Sequence, residues 1–371
     1  MSGERCILSR QWVPIPGGSC DVRMGTNAIA SASKVLRDSV SKPHTCVIVV
    51  RESMDADVVD ELERQAVDAG FACRVFVVEE PVGAVESIPR LAQCFAKARV
   101  TADDLCCAVG DVELMSLVSC MCGAWCSSMS VVGVPIDEPA FFEGVLVPQA
   151  LDVGDTRGLF AVRASIRHAL VDLGLMLRDS HDESSRYARA LMVGAAMASS
   201  EKEFSELWDR APEIMQDDED VRGTQLVATA KARGKLAAST AVVVRCGLEY
   251  GRTFACAVAS LAPSLGPSAL LGEGMRFCAR LSVALGKLSV DDMLAQDELL
   301  DQLGVGMVTC DVNPTELLAA LKREKGLRSH RTLWEMPLAL GRVRLQTVES
   351  AMLEEHVRAW CAAHAQVNLG G

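Results

Sequence analysis

Six histidines and fifteen cysteines are the residues of this 371-residue chain best suited to hold a metal or move a proton, and their spacing decides what they could do. His44, His168, His181, His330, His356 and His364 form no HExxH or HxH pair, so a histidine metal site has no support in the sequence. Cys106 and Cys107 are adjacent, and Cys120, Cys122 and Cys126 fall in a run of Met, Ala, Gly and Trp without the paired CxxC knuckles of structural zinc sites. Cys122 and Cys126 would share one helix face, which makes a thiolate metal site conceivable and plain packing the simpler reading. His168 and Asp172, four apart in what reads as a helical run, could hydrogen-bond on one face, either as a surface pair or as a catalytic one. In CAVGDVELM a strand leads into a helix at Gly110, where backbone amides could meet a phosphate. A dinucleotide loop uses two or three glycines, whereas here Asp111 and Val112 follow, and the Asp111 carboxylate would repel pyrophosphate. A serine nucleophile elbow, a P-loop and carboxylates paired at fixed spacing are absent from the sequence.

Such residues need elements to hold them. From His44 to about Val134 short β-rich runs (TCVIVV, CRVFVV, DDLCCAVG) alternate with helical ones (DADVVDELERQAVDAG, IPRLAQCFAKARV), the pattern of a parallel sheet with crossover helices. The run ADVVDELERQAV stops at Gly70, and MSVVGVPI reads as a further buried strand closed by Pro135. Beyond about residue 150 nearly every long segment has helical periodicity, so the expectation is an α/β domain over 1–150 and a helical domain over 151–371, with a cleft between them as the place for a site. The acidic stretch 211–223 reads as a solvated loop. A net charge of −12 with few aromatic residues argues against a nucleic-acid groove and leaves small molecules or proteins as partners. Apolar runs fall short of the ~20 residues a spanning helix needs, and the first residues show no secretory pattern, so a cytoplasmic location without membrane partners is expected.

Two stretches carry a specific likeness. KARGKLAASTAVVVRCGLEYGRTFACAVASLAPSLGPSALLGEGM, Lys231 to Met275, resembles the dehydroquinate synthase segment in which a lysine precedes LNxGHTxGHAxE and HGxAVxxGM. LLAALKREKGLRSHRTLWEMPLALGRVRLQTV, Leu317 to Val348, is similar to the same family's LLxALxxDKKxxxGxxxxVLxxxLG. Weaker likeness covers VRMG near Met24, VIVVRES near Val47 and IRHALVD from Ile166. The resemblance implies a dehydroquinate synthase-like fold, a Rossmann-like α/β domain with a parallel sheet followed by an all-helical domain, in a family that is commonly dimeric. Its members bind NAD and a divalent metal held by one glutamate and two histidines, and run a cycle of oxidation, phosphate elimination, reduction and ring closure.

Carried over residue by residue, the likeness implies loss of that site. The metal glutamate falls on Ala164 and the two histidines on Arg252 and Pro267. A further histidine falls on Cys256, an asparagine on Glu249, and the glycine loop on Gly110, Asp111 and Val112. The aspartate after that loop falls on Ser116, and the one that receives the ribose falls on Arg51. What remains is basic: Lys231, Arg245, Arg252 and Lys325 could still hold an anion, with Gly110 as a degenerate cofactor position. The expectation is a catalytically degenerate member that uses no cofactor and binds a small phosphorylated or carboxylated ligand or a protein, as a homodimer or as the partner of an intact paralogue. The alternative is a working synthase or related sugar-phosphate cyclase with a rearranged site drawing on Cys256, Glu249, Glu273 and His168.

Overall fold

The computed structural model describes residues 8–162, 165–177 and 181–365. Two compact units divide the chain, Met1–Arg178 and Asp179–Gly371. In the first unit, strands β1 (Ser9–Ile15), β2 (Gly18–Gly25), β3 (Thr45–Arg51), β4 (Ala72–Val78), β5 (Leu105–Gly110), β6 (Ser130–Pro135) and β9 (His168–Asp172) form one sheet in the order β1-β2-β9-β6-β5-β3-β4. Only β1 runs antiparallel to its neighbour; the remaining pairs are parallel. A small hairpin of β7 (Leu151–Val153) and β8 (Thr156–Phe160) stands apart from it. Helices α1 (Ala32–Asp38), α2 (Ala56–Asp68), α3 (Ser87–Lys97), α4 (Val112–Ala124) and the single turn α5 (Leu173–Met176) belong to the same unit.

The alternation of a strand explains the core. Cys46, Ile48 and Val50 of β3 and Leu105, Cys107 and Val109 of β5 share a buried cluster with Val35 and Leu36 of α1 and Leu62 and Ala66 of α2. The intervening Val47, Val49, Cys106 and Ala108 are buried as well, which is why these strands read as continuous apolar runs. Helix α4 is buried over most of its circumference, and Cys122 near its end meets the Cys106 thiol of β5. Each fully buried Val, Leu or Ile contributes about 1.5–3 kcal/mol, so this sheet is a rigid platform for whatever stands at its strand ends.

The second unit contains α6 (Glu183–Ser199), α7 (Glu201–Met215), α8 (Glu219–Ala238), α9 (Val242–Arg245), α10 (Arg252–Ala259), α11 (Pro267–Ala284), α12 (Val290–Gln302), α13 (Pro314–Arg328) and α14 (Ser350–His364). Asp182, Ser200, Asp218, Ser289 and Asn313 cap their helices by accepting first-turn N–H groups. No described helix is long and apolar enough to cross a membrane.

Several expectations are corrected. The boundary lies later than 150 because the segment 168–172 returns to the sheet as β9, between β2 and β6. His168 and Asp172 are therefore strand residues, and their supposed helical pairing does not form. Asp172 instead accepts four backbone N–H groups, from Asn27 at 3.1 Å, Ile29 at 3.0 Å, Gly174 at 3.0 Å and Leu175 at 3.3 Å. The helical unit is not all-helical: β10 (Leu333–Ala339) and β11 (Arg342–Thr347) pair antiparallel. Most of 211–223 is helix, with only residues 216–218 between α7 and α8. Cys126 lies beyond α4 in a left-handed conformation (φ 48°) and is exposed, so it shares no helix face with Cys122.

Candidate functional site

The sheet order reverses at β3, since β4 lies on one side of it and β5 on the other. In open α/β sheets the crevice beyond the carboxyl ends of strands at such a reversal is where ligands bind. Arg51 ends β3 here, and Gly110 ends β5. A Cβ at Gly110 would stand 2.5 Å from Leu114 Cδ2, so glycine lets the first turn of α4 settle onto the strand. Asp111 caps that helix, its Oδ1 accepting the Leu114 N–H at 3.0 Å, while its Oδ2 pairs with Arg51 Nη1 at 2.9 Å. Arg51 also pairs with Glu113 and, at 3.6 Å, with Glu80. One guanidinium thus gathers three carboxylates around the amino terminus of α4. Ser116 is buried within the same helix, donating to Val112 O at 2.7 Å and accepting from Gln149 N at 2.9 Å.

In the second unit a different set converges. Gly251 is the amino cap of α10 at φ 80°, and a Cβ on Gly274 would lie 2.0 Å from its carbonyl oxygen. That pair of glycines presses α11 against the start of α10. The neighbouring Tyr250 is buried, its hydroxyl donating to Gln296 Oε1 at 2.6 Å. These contacts fix the 3-10 turn Cys246–Glu249 and so position Glu249. Its carboxyl feels, besides its own desolvation, Glu335 of β10, Arg328 and Lys325 of α13 and Arg233 of α8. Tyr187 of α6 and Cys256 of α10 in turn feel Glu249.

Glu249 and Cys256 are solvent-exposed and Arg252 is half-buried, yet desolvation is the largest influence on each of them, raising the carboxyl and the thiol and lowering the guanidinium. Groups that touch solvent while being densely surrounded lose part of their hydration, which disfavours the charged form of each. Beside them Arg233 is 3% exposed, and burial brings its guanidinium down to about 10. Burial likewise pushes the Tyr187 hydroxyl up to about 12. Perturbed groups clustered in this way make this place the candidate functional site of the second unit.

The sequence-derived anion residues divide over this unit. Arg252 stands in the cluster, with Nε donating to Leu248 O at 3.1 Å. Lys325 is next to it electrostatically but already pairs with Glu335 at 2.7 Å and lies over the Trp334 ring at 5.2 Å. Arg245 donates to Ser239 O at 2.7 Å and Thr240 O at 2.9 Å, closing the turn between α8 and α9. Lys231 is half-buried two residues before Arg233, a spacing that sets the two on different helix faces. Arg233, Tyr187 and Arg328 are members that sequence reasoning missed. A charged residue inside the small-residue run KARGKLAA was the available signal for Arg233. A groove of about 500 Å³ at Trp208, Pro212 and Met215 shares no lining residue with the cluster.

Of the positions that the family's metal would require, Ala164 lies outside the described residues, Arg252 opens α10 and Pro267 opens α11. Of the donors of the rearranged alternative, Cys256 and Glu249 lie within electrostatic reach of each other, while Glu273 is engaged elsewhere in the second unit. Glu273 accepts from Trp360 Nε1 at 2.9 Å and meets His364 Nε2 at 3.0 Å, and His168 sits on β9 with Asp21 and Arg23 as charged neighbours. Among the described residues no group of three His, Cys, Asp or Glu could hold a metal ion.

No protein-family model matches the chain, and no curated protein does. Solved structures do. A 2-deoxy-scyllo-inosose synthase complexed with carbaglucose-6-phosphate, NAD+ and Co2+ superposes with a TM-score of 0.80 at 13% identity, covering 95% of this chain and 100% of that one. The 2-epi-5-epi-valiolone synthase of Streptomyces hygroscopicus subsp. jinggangensis 5008, with NAD+ and Zn2+ bound, gives 0.78 at 14% identity over 95% and 99%. An iron-containing alcohol dehydrogenase of Thermotoga maritima gives 0.54 at 13% over 97% and 94%. The expectation of no cofactor is overturned by the first two, which hold NAD+ with Co2+ or Zn2+ in this fold. The chain has the fold of the dehydroquinate synthase-like sugar phosphate cyclases.

Proposed function

We propose that this chain is a catalytically degenerate protein of the sugar phosphate cyclase fold that binds a small phosphorylated or carboxylated molecule at the arginine cluster of its second unit. The observation that carries this reading is the convergence of Arg233, Arg252 and Arg328 on Glu249 and Cys256. Guanidinium groups recognise phosphate and carboxylate by paired, charge-assisted hydrogen bonds, and desolvation strengthens such bonds. The phosphate-bearing ligand of the synthase with TM-score 0.80 supports the same ligand class. Glucose-6-phosphate, sedoheptulose-7-phosphate and sulfate are expected to raise the unfolding midpoint of the full chain, because a ligand that binds only the folded state stabilises it. Phosphate release from either sugar phosphate, with NAD+ and zinc added, is expected to be absent.

A second reading is a working cyclase with a rearranged site, and the NAD+ and metal of the similar structures favour it. Phosphate release under those conditions would establish it. A protein ligand in place of a small anion would show as co-purification without any stabilisation by the three anions.

A further inference from the structure

Helix α7 carries two apolar stripes. Phe204, Leu207, Ala211 and Ile214 form its buried face, at the spacing of an amphipathic helix packed on a core. Trp208, Pro212 and Met215 repeat at helical spacing on the adjoining face, where Trp208 and Met215 are half-buried and Pro212 is exposed. With Asp209 and with Gln302 at the end of α12 they line the groove of about 500 Å³, a volume within the roughly 300–1,000 Å³ of ordinary binding sites. Met215 Cε would stand 3.4 Å from a Cβ at Gly304, so the methionine reaches across to the turn that follows α12.

Charge around this groove has one sign. Helix α12 carries Asp291, Asp292, Asp297, Glu298 and Asp301 and no basic residue, and the only basic residues of 201–220 are Lys202 and Arg210. Both of these pair with Glu206 at 3.6 Å, and Arg210 also donates to Gln225 at 3.0 Å. Asp209 makes no hydrogen bond or ion pair with another described residue, and the Trp208 indole N–H makes none either. A carboxylate without a cation, next to an indole ring and a thioether, suits a basic side chain: the carboxylate and the ring face attract its charge, and the apolar lining takes its stem. The stripe from Trp208 to Met215 runs about 10 Å along the helix, more than one ammonium group covers. Apolar residues at i, i+4 and i+7 match the repeat of a second helix laid alongside, and methionine adapts to the shape of what it meets.

We propose that this groove is a protein-docking site for a basic amphipathic segment of a partner, which lays apolar side chains against Trp208, Pro212 and Met215 and sets a lysine or arginine beside Asp209. The site shares no lining residue with the arginine cluster and takes a ligand of the opposite charge, so it stands or falls independently of small-anion binding there.

Fluorescence anisotropy of a labelled amphipathic helix of leucine and lysine, titrated with the full chain at physiological ionic strength, tests it. Saturable binding is expected, and a peptide of the same composition in scrambled order, without an apolar face, should bind at least about tenfold more weakly. Asp209→Lys, at an exposed position, is expected to weaken the helical peptide by about tenfold or more. Asp60→Lys, the same change of charge at an exposed position on α2 of the other unit, should leave its affinity unchanged. No saturable binding, equal binding of the scrambled peptide, or equal weakening by Asp60→Lys overturns the docking site. Dimerisation in sedimentation velocity that Asp209→Lys abolishes and Asp60→Lys does not would give the groove to a second copy of the chain, and competition by hexylamine as strong as that by unlabelled peptide would give it to a small amine. Either result overturns the assignment to a basic partner segment.

Discussion

Asp111 serves two partners at once, capping α4 through one oxygen and pairing with Arg51 through the other. Asp111→Ala is expected to lower stability by about 1 kcal/mol in urea unfolding, the ordinary loss of an amino-terminal cap. Asp111→Asn should keep most of the cap while weakening the partly exposed ion pair, so its smaller deficit should shrink further in high salt. Glu249 makes the opposite kind of residue-scale prediction. A carboxyl whose folded pKa is raised contributes stability that is present below its unfolded pKa and lost as pH rises through the folded one. Glu249→Gln is therefore expected to unfold later than wild type at pH 8 and no later at pH 4, a comparison that thermal scans in the absence of ligand can make.

Helix α14 shows how charge and packing share the holding of one element. Leu353, Val357, Trp360 and Cys361 are buried, and at its end His364 Nδ1 meets Trp360 O at 2.8 Å while Nε2 meets Glu273 at 3.0 Å. Both ring nitrogens face acceptors, so the geometry calls for the doubly protonated imidazolium. Burial opposes the charge on each partner, but the mutual hydrogen bond prevails, raising the His364 ring and lowering Glu273. The raised His364 gives stability that is complete below about pH 6.5 and lost as pH climbs through its folded value. The lowered Glu273 gives stability present above about pH 4.5 and lost as pH falls through its own. His364→Gln should therefore be most costly between those limits and less costly once pH has climbed past the folded value of the ring, as read by chemical unfolding across pH. Gly274→Ala, whose methyl would meet the Gly251 carbonyl, should cost more than about 3 kcal/mol by forcing α11 off α10. Elements of this kind were unevenly legible in the sequence. The strands β3, β5 and β6 and helix α2 announce themselves by apolar runs and period, whereas β9 did not, because IRHALVD is too short for period to separate strand from helix. The hairpin of β10 and β11 was hidden for the same reason, its apolar residues merging with the run of α13 before it.

At the scale of the molecule, an acidic chain of net charge −12 keeps its guanidinium cluster in one unit and its carboxylate-ringed strand ends in the other. The sequence exposed half of that contrast. Asp111 and Arg51 were visible as departures from a nucleotide loop, but Arg233 and Tyr187 were not, since their meeting with Glu249 depends on how α6, α8 and the turn before α10 pack, which no local spacing encodes. The division between units has a consequence that hydrogen exchange can read. A ligand that binds only the folded state slows exchange most where opening would release it, while elements whose local openings leave the ligand bound are protected less. Saturating sulfate is therefore expected to slow amide exchange in α6, α8, α10 and α13, and to leave the β3 and β5 ends and the first turn of α4 nearly unchanged. Three carboxylates beside a single guanidinium give a second dianion no reason to settle there. Protection at the start of α4 in place of the second unit would mean that the backbone amides of that helix outweigh Asp111, Glu113 and Glu80, and would move the anion site to the strand ends.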